Sequence, residues 1–331
     1  MELTYREAVR RALMEEMERD ERVFIMGEDV GAYGGSYAVT KGLLARFGPE
    51  RVRDTPISEA AIAGAGIGAA LGGLRPVVEI MSINFILPAA DQLINGAAKI
   101  HYMFNGQFHV PLVVRTVNGG RRLAATHSQN LEVLFAFIPG LKVVTPASPA
   151  DAYGLLKAAI RDPDPVLFVE SALLYSMKGP VPDDPDFLVP LGQSLVRREG
   201  RDLTLVAHSR GVVVALEAAE RLAAQGVEAE VVDLRTLRPL DMGPVLASVR
   251  KTGRVVIVGD DWQSYGVGAE IAARLAEEAF EALRGPVLRV GGAEVPMPYA
   301  ANLERLALPQ VDGVIRRAAR LLEGDGAWLV R

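Results

Sequence analysis

The sequence predicts an α/β chain of two domains, each a mostly parallel sheet covered by helices. Three observations predict it. Short apolar strand-like runs alternate with helical periodicities, which sets neighbouring strands parallel and puts helices over both faces. The alternation stops once, between about Tyr175 and Gly200, in a stretch rich in Pro and Asp (Pro180, Pro182, Asp183, Asp184, Pro185, Asp186), and then restarts. The chain has 331 residues, enough for two cores of ordinary size. The expected division is a first domain at 1–175, a linker at 176–200 and a second domain at 201–331.

In order along the chain, Thr4 and Glu7 form a capping box ahead of Val9, Leu13 and Met17 at helical spacing. Val23 to Met26 is a strand that ends in the turn Gly27-Glu28-Asp29, followed by the Gly-rich run Gly31 to Gly35. A helix is expected from about Ala60 to Leu71, then a strand around Val77 to Ile80. Another helix, about Ala89 to Lys99, precedes the strand Val110 to Val114. Val143-Val144 is a strand, Ser148-Pro149 opens a helix to about Arg161, and Val166 to Val169 is a strand again. Beyond the linker, strands at Leu203 to Ala207, Ala229 to Leu234 and Val255 to Gly259 are separated by helices at Val212 to Gln225 and Met242 to Lys251. A last helix covers Val314 to Leu322.

Half the residues are apolar and 23% are charged, a globular composition, and the net charge of -5 with a pI near 5.6 argues against a nucleic-acid partner. The absence of cysteine removes disulfides, thiolate metal sites and Cys nucleophiles together. Met1-Glu2-Leu3-Thr4 carries no basic-then-apolar leader pattern, and the longest uncharged apolar run, between Glu59 and Arg75, is Gly-rich and too short for a bilayer. The expectation is a cytoplasmic protein with no membrane partner.

Four histidines can be weighed singly. His101 ends a helix, where a surface or C-terminal charge role is the natural reading, and His109 precedes a strand among ordinary loop residues. His208 ends a strand; a hydrogen-bonded structural histidine and a site residue are both open there. His127 closes an irregular loop of Gly, Arg and small residues, Asn118 to Thr126, and catalytic and structural readings stay open for it too. Glu59 opens the helix after Asp54-Thr55-Pro56-Ile57-Ser58, with Ser58 placed to cap. The plain reading is a carboxylate complementing the helix dipole. Against it, Ala60 to Leu74 has no polar face, so the helix is expected buried all round and Glu59 to enter protein rather than water. A carboxylate kept there points to chemistry.

Two motifs are decoys. Gly64-Ala65-Gly66-Ile67-Gly68 looks like a dinucleotide fingerprint but lies inside a helical run, where close helix packing accounts for it. Gly324-Asp325-Gly326 has the form that thiamine-diphosphate enzymes use to hold magnesium and diphosphate, but only five residues follow, so the downstream Asn is lacking.

Taken together, the segments resemble the beta subunits of the first, decarboxylating component of 2-oxo acid dehydrogenase complexes, the pyruvate dehydrogenase branch above all. The shared stretches are Gly27-Glu28-Asp29-Val30, Asp54 to Glu59, Asn84-Phe85 with Asp91-Gln92, and His127-Ser128-Gln129. Pro139 to Val144, Gly154 to Asp162, Leu234-Arg235-Thr236 and Val295 to Ala300 extend the likeness from Thr4 to about Leu322. The resemblance implies a transketolase-like arrangement in which the first domain binds the aminopyrimidine of thiamine diphosphate. An alpha subunit, in an alpha2beta2 heterotetramer, would hold the diphosphate and its magnesium. Glu59 would hydrogen-bond the pyrimidine ring nitrogen, Phe85 would pack on the ring, Ile57 would line the pocket, and Glu28 and Asp91 would belong to a polar tunnel between paired sites. His127 would position and protonate the lipoyl group during reductive acylation, a task suited to a group titrating near neutrality. A potassium ion would be held by carbonyls of Leu112, Ala159, Ile160 and Asp162, with Asp164 nearby. The implied partners are the alpha subunit, the lipoyl and subunit-binding domains of the dihydrolipoyl acyltransferase, and a 2-oxo acid.

The chain departs from the pattern at Arg121 and Arg122, where relatives carry small residues in a loop one residue longer, and in the tail Glu323 to Arg331. An acetoin or branched-chain 2-oxo acid dehydrogenase beta subunit is the rival within the family. Outside it stand a nucleotide-binding oxidoreductase built on Gly64 to Gly68 and a non-catalytic assembly module. The oxidoreductase requires that helix to start directly after a strand. The module requires Glu59 and His127 to be dispensable.

Overall fold

The structure, a computed structural model, describes residues 1–119 and 123–323. Arg121, Arg122, the Gly324-Asp325-Gly326 motif and the rest of the tail lie outside the described residues. The chain forms two compact units: 1–119 with 131–191, and the described residues among 120–130 and from 192 onward.

In the first unit, β1 (Glu2–Thr4) leads into α1 (Tyr5–Arg19) through the expected capping box: Thr4 Oγ1 accepts from Glu7 N at 3.2 Å and Glu7 Oε2 accepts from Thr4 N at 2.8 Å. Then follow β2 (Val23–Gly27), α2 (Leu43–Phe47), β3 (Val52–Asp54), α3 (Glu59–Leu71) and β4 (Arg75–Glu79). The segment after β4 departs from the expected single helix. A 3-10 run at Ile83–Ala89, interrupted by Pro88, passes into a π-helical turn at Gln92–Ala97 before α4 (Ala98–Met103). Pro88 has no N–H to give a regular helix, and π turns of this kind collect at functional sites. The unit continues with β5 (Val113–Asn118), α5 (Glu132–Ala136), β6 (Lys142–Val144), α6 (Pro149–Arg161), β7 (Val166–Ser171) and β8 (Lys178–Pro180).

The strands of this unit's main sheet run in the order β6-β7-β5-β4-β2-β3, every neighbouring pair parallel. Strands buried on both faces need apolar residues throughout, which is what Val23 to Met26 and Val166 to Val169 supply. α1 packs against α6, whose Ser148 cap accepts from Asp151 N at 3.2 Å. Between these helices the fully buried Lys157 reaches Glu15 at 2.7 Å, so its charge enters the core with a partner.

The second unit holds β9 (Leu195–Arg198), β10 (Leu203–Ala207), α7 (Arg210–Ala223), β11 (Ala229–Asp233), β12 (Thr236–Arg238), α8 (Gly243–Thr252), β13 (Val255–Trp262), α9 (Val267–Glu278), β14 (Leu288–Gly292), α10 (Ala301–Ala307) and α11 (Val311–Leu322). Its sheet order is β14-β13-β10-β11-β9, parallel except for the antiparallel edge strand β9. The stretch 176–200, expected as a linker, carries a strand for each unit: β8 pairs with β1, and β9 pairs with β11. Pro180, the one proline within these two strands, is tolerated because β8 has a free edge. Among the described residues no helix is long and apolar enough to cross a membrane.

Candidate active site

In a parallel sheet the loops that can hold a ligand leave the carboxyl ends of the strands. β2 and β3 are neighbours there, with Gly27 opposite Asp54, so the loops that follow them share one rim. On its other side Gly27 faces Glu79, and a Cβ on Gly27 would meet the Glu79 carbonyl oxygen at 2.5 Å. The glycine is required by that close approach. Asp54 caps the β2 loop, its carboxylate accepting from Gly31 N at 2.6 Å and Ala32 N at 3.1 Å, while Thr55 N donates to Gly27 O at 2.9 Å. Glu28, one residue beyond Gly27, and Glu59, at the first position of α3, are thereby brought to the same edge. Burial pushes the Glu28 carboxyl above the usual carboxylate range, and the negative charges of Glu59 and then Asp29 push it further. Glu28 Oε1 is buried with no hydrogen-bond partner, and so are Thr55 Oγ1 and Gln92 Oε1 around the same helix.

Two expectations about α3 need correction. Ser58 occupies the N-cap position but its side chain makes no capping hydrogen bond. The helix is not buried all round. Ile62, Ala63, Gly66, Ile67 and Ala70 are buried, whereas Ala61, Ala65, Gly68 and Leu71 are exposed, and Glu59 is half-buried. Gly66 is where helix and sheet meet most closely: a Cβ there would lie 2.8 Å from Val78 Cγ1 and 3.1 Å from Leu112 Cδ1. At Gly68 nothing lies within 4 Å, so packing within this chain does not account for that glycine. The helix also starts after the Thr55 to Ser58 loop and not directly at the end of β3, which removes the dinucleotide reading.

The other expected first-unit residues surround this helix. Ile57, two residues before Glu59, is 79% exposed. Phe85 is half-buried on the 3-10 run, which packs against α3, and Asp91 is exposed, accepting from Asn95 Nδ2 at 2.7 Å. Gln92 places its Cγ 3.7 Å from a Cβ on Gly64.

Sequence reasoning missed the buried charge cluster behind the rim. Arg115 Nη1 donates to Glu79 Oε2 at 2.5 Å and Nη2 to Glu170 Oε2 at 3.1 Å, and the Tyr175 hydroxyl donates to Glu170 Oε2 at 2.9 Å. Burial raises Glu79 despite Arg115, and burial followed by the Glu170 charge raises Tyr175 well above its ordinary range. One charged residue on each of three adjacent strands gave no local signal; only the register shows the cluster.

The expected potassium ligands are already engaged. Ile160 O and Asp162 O accept from Arg75 Nη1 at 2.8 and 3.3 Å, Leu112 O accepts from Val166 N at 2.9 Å, and Ala159 O accepts from Asp162 N at 3.3 Å. Lys142 Nζ grips both oxygens of Asp162 at 2.6 and 2.7 Å. A guanidinium and an ammonium thus lie beside the residues expected to hold the cation.

His127, inside the first domain of the sequence reading, packs with the second compact unit. The reason is local: Asn130 Nδ2 donates to Asp260 O at 3.2 Å, and Ser128 to Asn130 line a pocket with Trp262, Val295 and Met297. Trp262 Nε1 donates to Val295 O at 3.2 Å, which ties the Val295-Pro296-Met297 stretch to the same pocket. His127 is exposed beside it, Nδ1 3.1 Å from Thr126 Oγ1, and Ser128 Oγ and Asn130 Oδ1 are buried acceptors without partners. His208 is buried and lines a different recess with Asp261, Gln263 and Arg289.

Residues 1–178 match the family described as the transketolase pyrimidine binding domain, and residues 192–314 the transketolase C-terminal domain. The chain is 53% identical to the Arabidopsis thaliana mitochondrial pyruvate dehydrogenase E1 component subunit beta-1, over 96% of this chain and 89% of that one. It is 52% identical to the Rhizobium meliloti (strain 1021) pyruvate dehydrogenase E1 component subunit beta, over 95% of this chain and 68% of that one. The chain belongs to the pyruvate dehydrogenase E1 beta-subunit family. Its fold is transketolase-like: a solved chain described as a split-gene transketolase, inactive beta4 tetramer, superimposes with a TM-score of 0.79 at 25% identity, covering 97% of this chain and 98% of the other. Within this family Glu28 and Glu59 fall in the pyrimidine-binding domain, and Trp262 and Met297 in the C-terminal one.

Proposed function

We propose that this chain is the pyrimidine-activating half of a thiamine-diphosphate-dependent pyruvate dehydrogenase, with an alpha subunit completing the site in an alpha2beta2 assembly. The observation that carries the reading is the Glu28–Glu59 pair: two carboxylates at the carboxyl rim of a parallel sheet, one with a raised pKa and a buried oxygen lacking a partner. Orphaned acceptors at Glu28, Thr55 and Gln92 fit a ligand edge that brings N–H donors, as an aminopyrimidine does. The bound cofactor supplies a nucleophilic carbon for attack on the 2-oxo acid. Glu59 would hold a proton at the pyrimidine ring nitrogen, with Glu28 beside it at the rim, and Phe85 and Ile57 would give the ring apolar surface that excludes water.

The exposed apolar side of α3 (Ala61, Ala65, Leu71) with Ile57 and Leu74 supports a partner chain over this rim. The split-gene transketolase relative, described as inactive when it is a tetramer of one chain, agrees with a half-site. We assign His127 to lipoyl transfer, since it stands exposed beside a pocket of the C-terminal unit where a long acceptor arm can reach it. Asp91 is kept as a polar group near the cofactor, and magnesium is left to the alpha subunit. Decarboxylation of pyruvate, assayed for the purified chain and after co-assembly with an alpha subunit carrying Gly-Asp-Gly and its downstream Asn, tests the reading. Activity only in the mixture is expected; full activity of the chain alone overturns it.

A further inference from the structure

His101 and His109 have no evident link in the sequence, yet the fold stacks their rings 4.4 Å apart at an interplanar angle of 36°. The turn between them does this. Asn105 and Gly106 adopt φ of 52° and 78°, and Gly106 N returns to His101 O at 2.8 Å, which folds the chain back so that His109 lies against His101. Asp164, in the turn between α6 and β7, completes the group with Oδ1 2.9 Å from His109 Nδ1. One ligand-capable atom from each of the three lies within 4.8 Å of the other two.

The hydrogen bonds around the group are those that prepare histidines for a metal. His101 Nδ1 lies 3.0 Å from the Phe108 carbonyl oxygen, which only accepts, so Nδ1 carries the proton and the Nε2 lone pair is bare. His109 Nδ1 faces Asp164 Oδ1 at 2.9 Å, a contact in which a cation would take the place of the shared proton. Lys142 lies 3.8 Å from Asp164 Oδ2, but its close partner is Asp162 at 2.6 Å, so Asp164 keeps its Oδ1 for the histidines.

We propose that His101, His109 and Asp164 form a binding site for a borderline first-row divalent cation, Zn2+ or its neighbours Co2+ and Ni2+. Two imidazoles and a carboxylate suit these ions, and water completes the tetrahedron because both histidines are exposed. Metal bonds of about 2.0–2.1 Å require ligand atoms roughly 3.3 Å apart, a contraction that side chains on exposed turns can make. The three residues come from α4, the loop entering β5 and the turn entering β7, so His109 and Asp164 lie at the amino ends of the strands, the opposite end of the parallel sheet from Glu28 and Glu59. The ion is therefore a clip joining three chain segments, and it takes no part in the chemistry at the rim.

Calorimetric titration of the chelator-stripped full chain with Zn2+, together with melting curves, tests this. One Zn2+ per chain is expected, with a rise in melting temperature that EDTA reverses and Mg2+ does not reproduce. H101Q and H109Q should each weaken Zn2+ binding at least about tenfold, and D164N by about 10–100-fold, while all three melt like the metal-free parent. X-ray absorption of the loaded parent chain should show imidazole nitrogens in the shell, a readout independent of how the variants fold. No stoichiometric binding, no imidazole scattering, or unchanged affinity in both histidine variants overturns the site. His127 stays intact in every variant, so adventitious binding there would persist and count against it.

Discussion

Glu28 and Glu59 meet at the carboxyl rim of one sheet, and the charge of Glu59, after burial, holds the Glu28 carboxyl above its ordinary pKa. A carboxyl raised in the folded state binds its proton more tightly there than in the unfolded chain. Its contribution is therefore most favourable below the ordinary carboxylate range and is lost as the pH rises through the raised value. Melting temperature against pH should show E28Q stabilising the chain at pH 7 and above, with the difference vanishing toward pH 4. Equal stability of parent and variant across that window would refute the raised carboxyl.

Glu59→Gln keeps the shape and removes the proton-holding group. In the assembly with the alpha subunit, kcat for pyruvate decarboxylation should fall by about 10²–10⁴, the usual span for a lost acid–base group, while melting of the chain is unchanged or improved. A loss below tenfold would reassign the residue to the helix-dipole role.

His127→Ala should divide the reaction. Decarboxylation measured with an artificial electron acceptor is expected to stay within a few-fold of the parent, and transfer to a lipoyl domain to drop by about 10²-fold or more. Equal losses in both assays would contradict the division of labour between the two units.

Gly66 and Gly68 sit half a turn apart on α3 and should respond oppositely. Gly66→Ala drives a methyl toward Val78 and Leu112 and should cost about 1–3 kcal/mol in denaturant unfolding. Gly68→Ala meets nothing within 4 Å and should stabilise the isolated chain by roughly 0.5–1 kcal/mol through helix propensity. If α3 carries a partner, the same Gly68→Ala change should weaken co-assembly, visible in analytical ultracentrifugation. Undisturbed assembly would place the partner elsewhere.

Arg115→Met strands two buried carboxylates, Glu79 and Glu170, and should destabilise the chain by about 3–5 kcal/mol. Adding E79Q and E170Q should recover much of that loss. No recovery in urea denaturation would mean that packing of the guanidinium, and not its charge, is what matters.

The elements that local chemistry specifies were legible: the Thr4–Glu7 box, the Ser148-Pro149 helix start, and the Val-rich parallel strands all lie where their residues require. Glu59 was legible as well, because a charge at the head of an apolar helix is a local anomaly. Less was legible where several elements contribute one group each. Glu79, Arg115 and Glu170 are ordinary charges on three strands until the register stacks them. The same holds for the exposed side of α3, since apolarity tells that a face seeks cover but not whether its own chain provides it.

By itself the sequence determined the alternation of strands and helices, the carboxylate heading α3, and the histidine that closes the loop before Ser128. Periodicity, caps and local charge act over a few residues and can be read from them. Only the tertiary structure decided that Glu28 stands beside Glu59, that His127 belongs with Trp262 and Met297 in the second unit, and that His101, His109 and Asp164 share one corner. Those relations depend on the order and register of parallel strands, and parallel neighbours are joined by crossovers too long for any local pattern to encode.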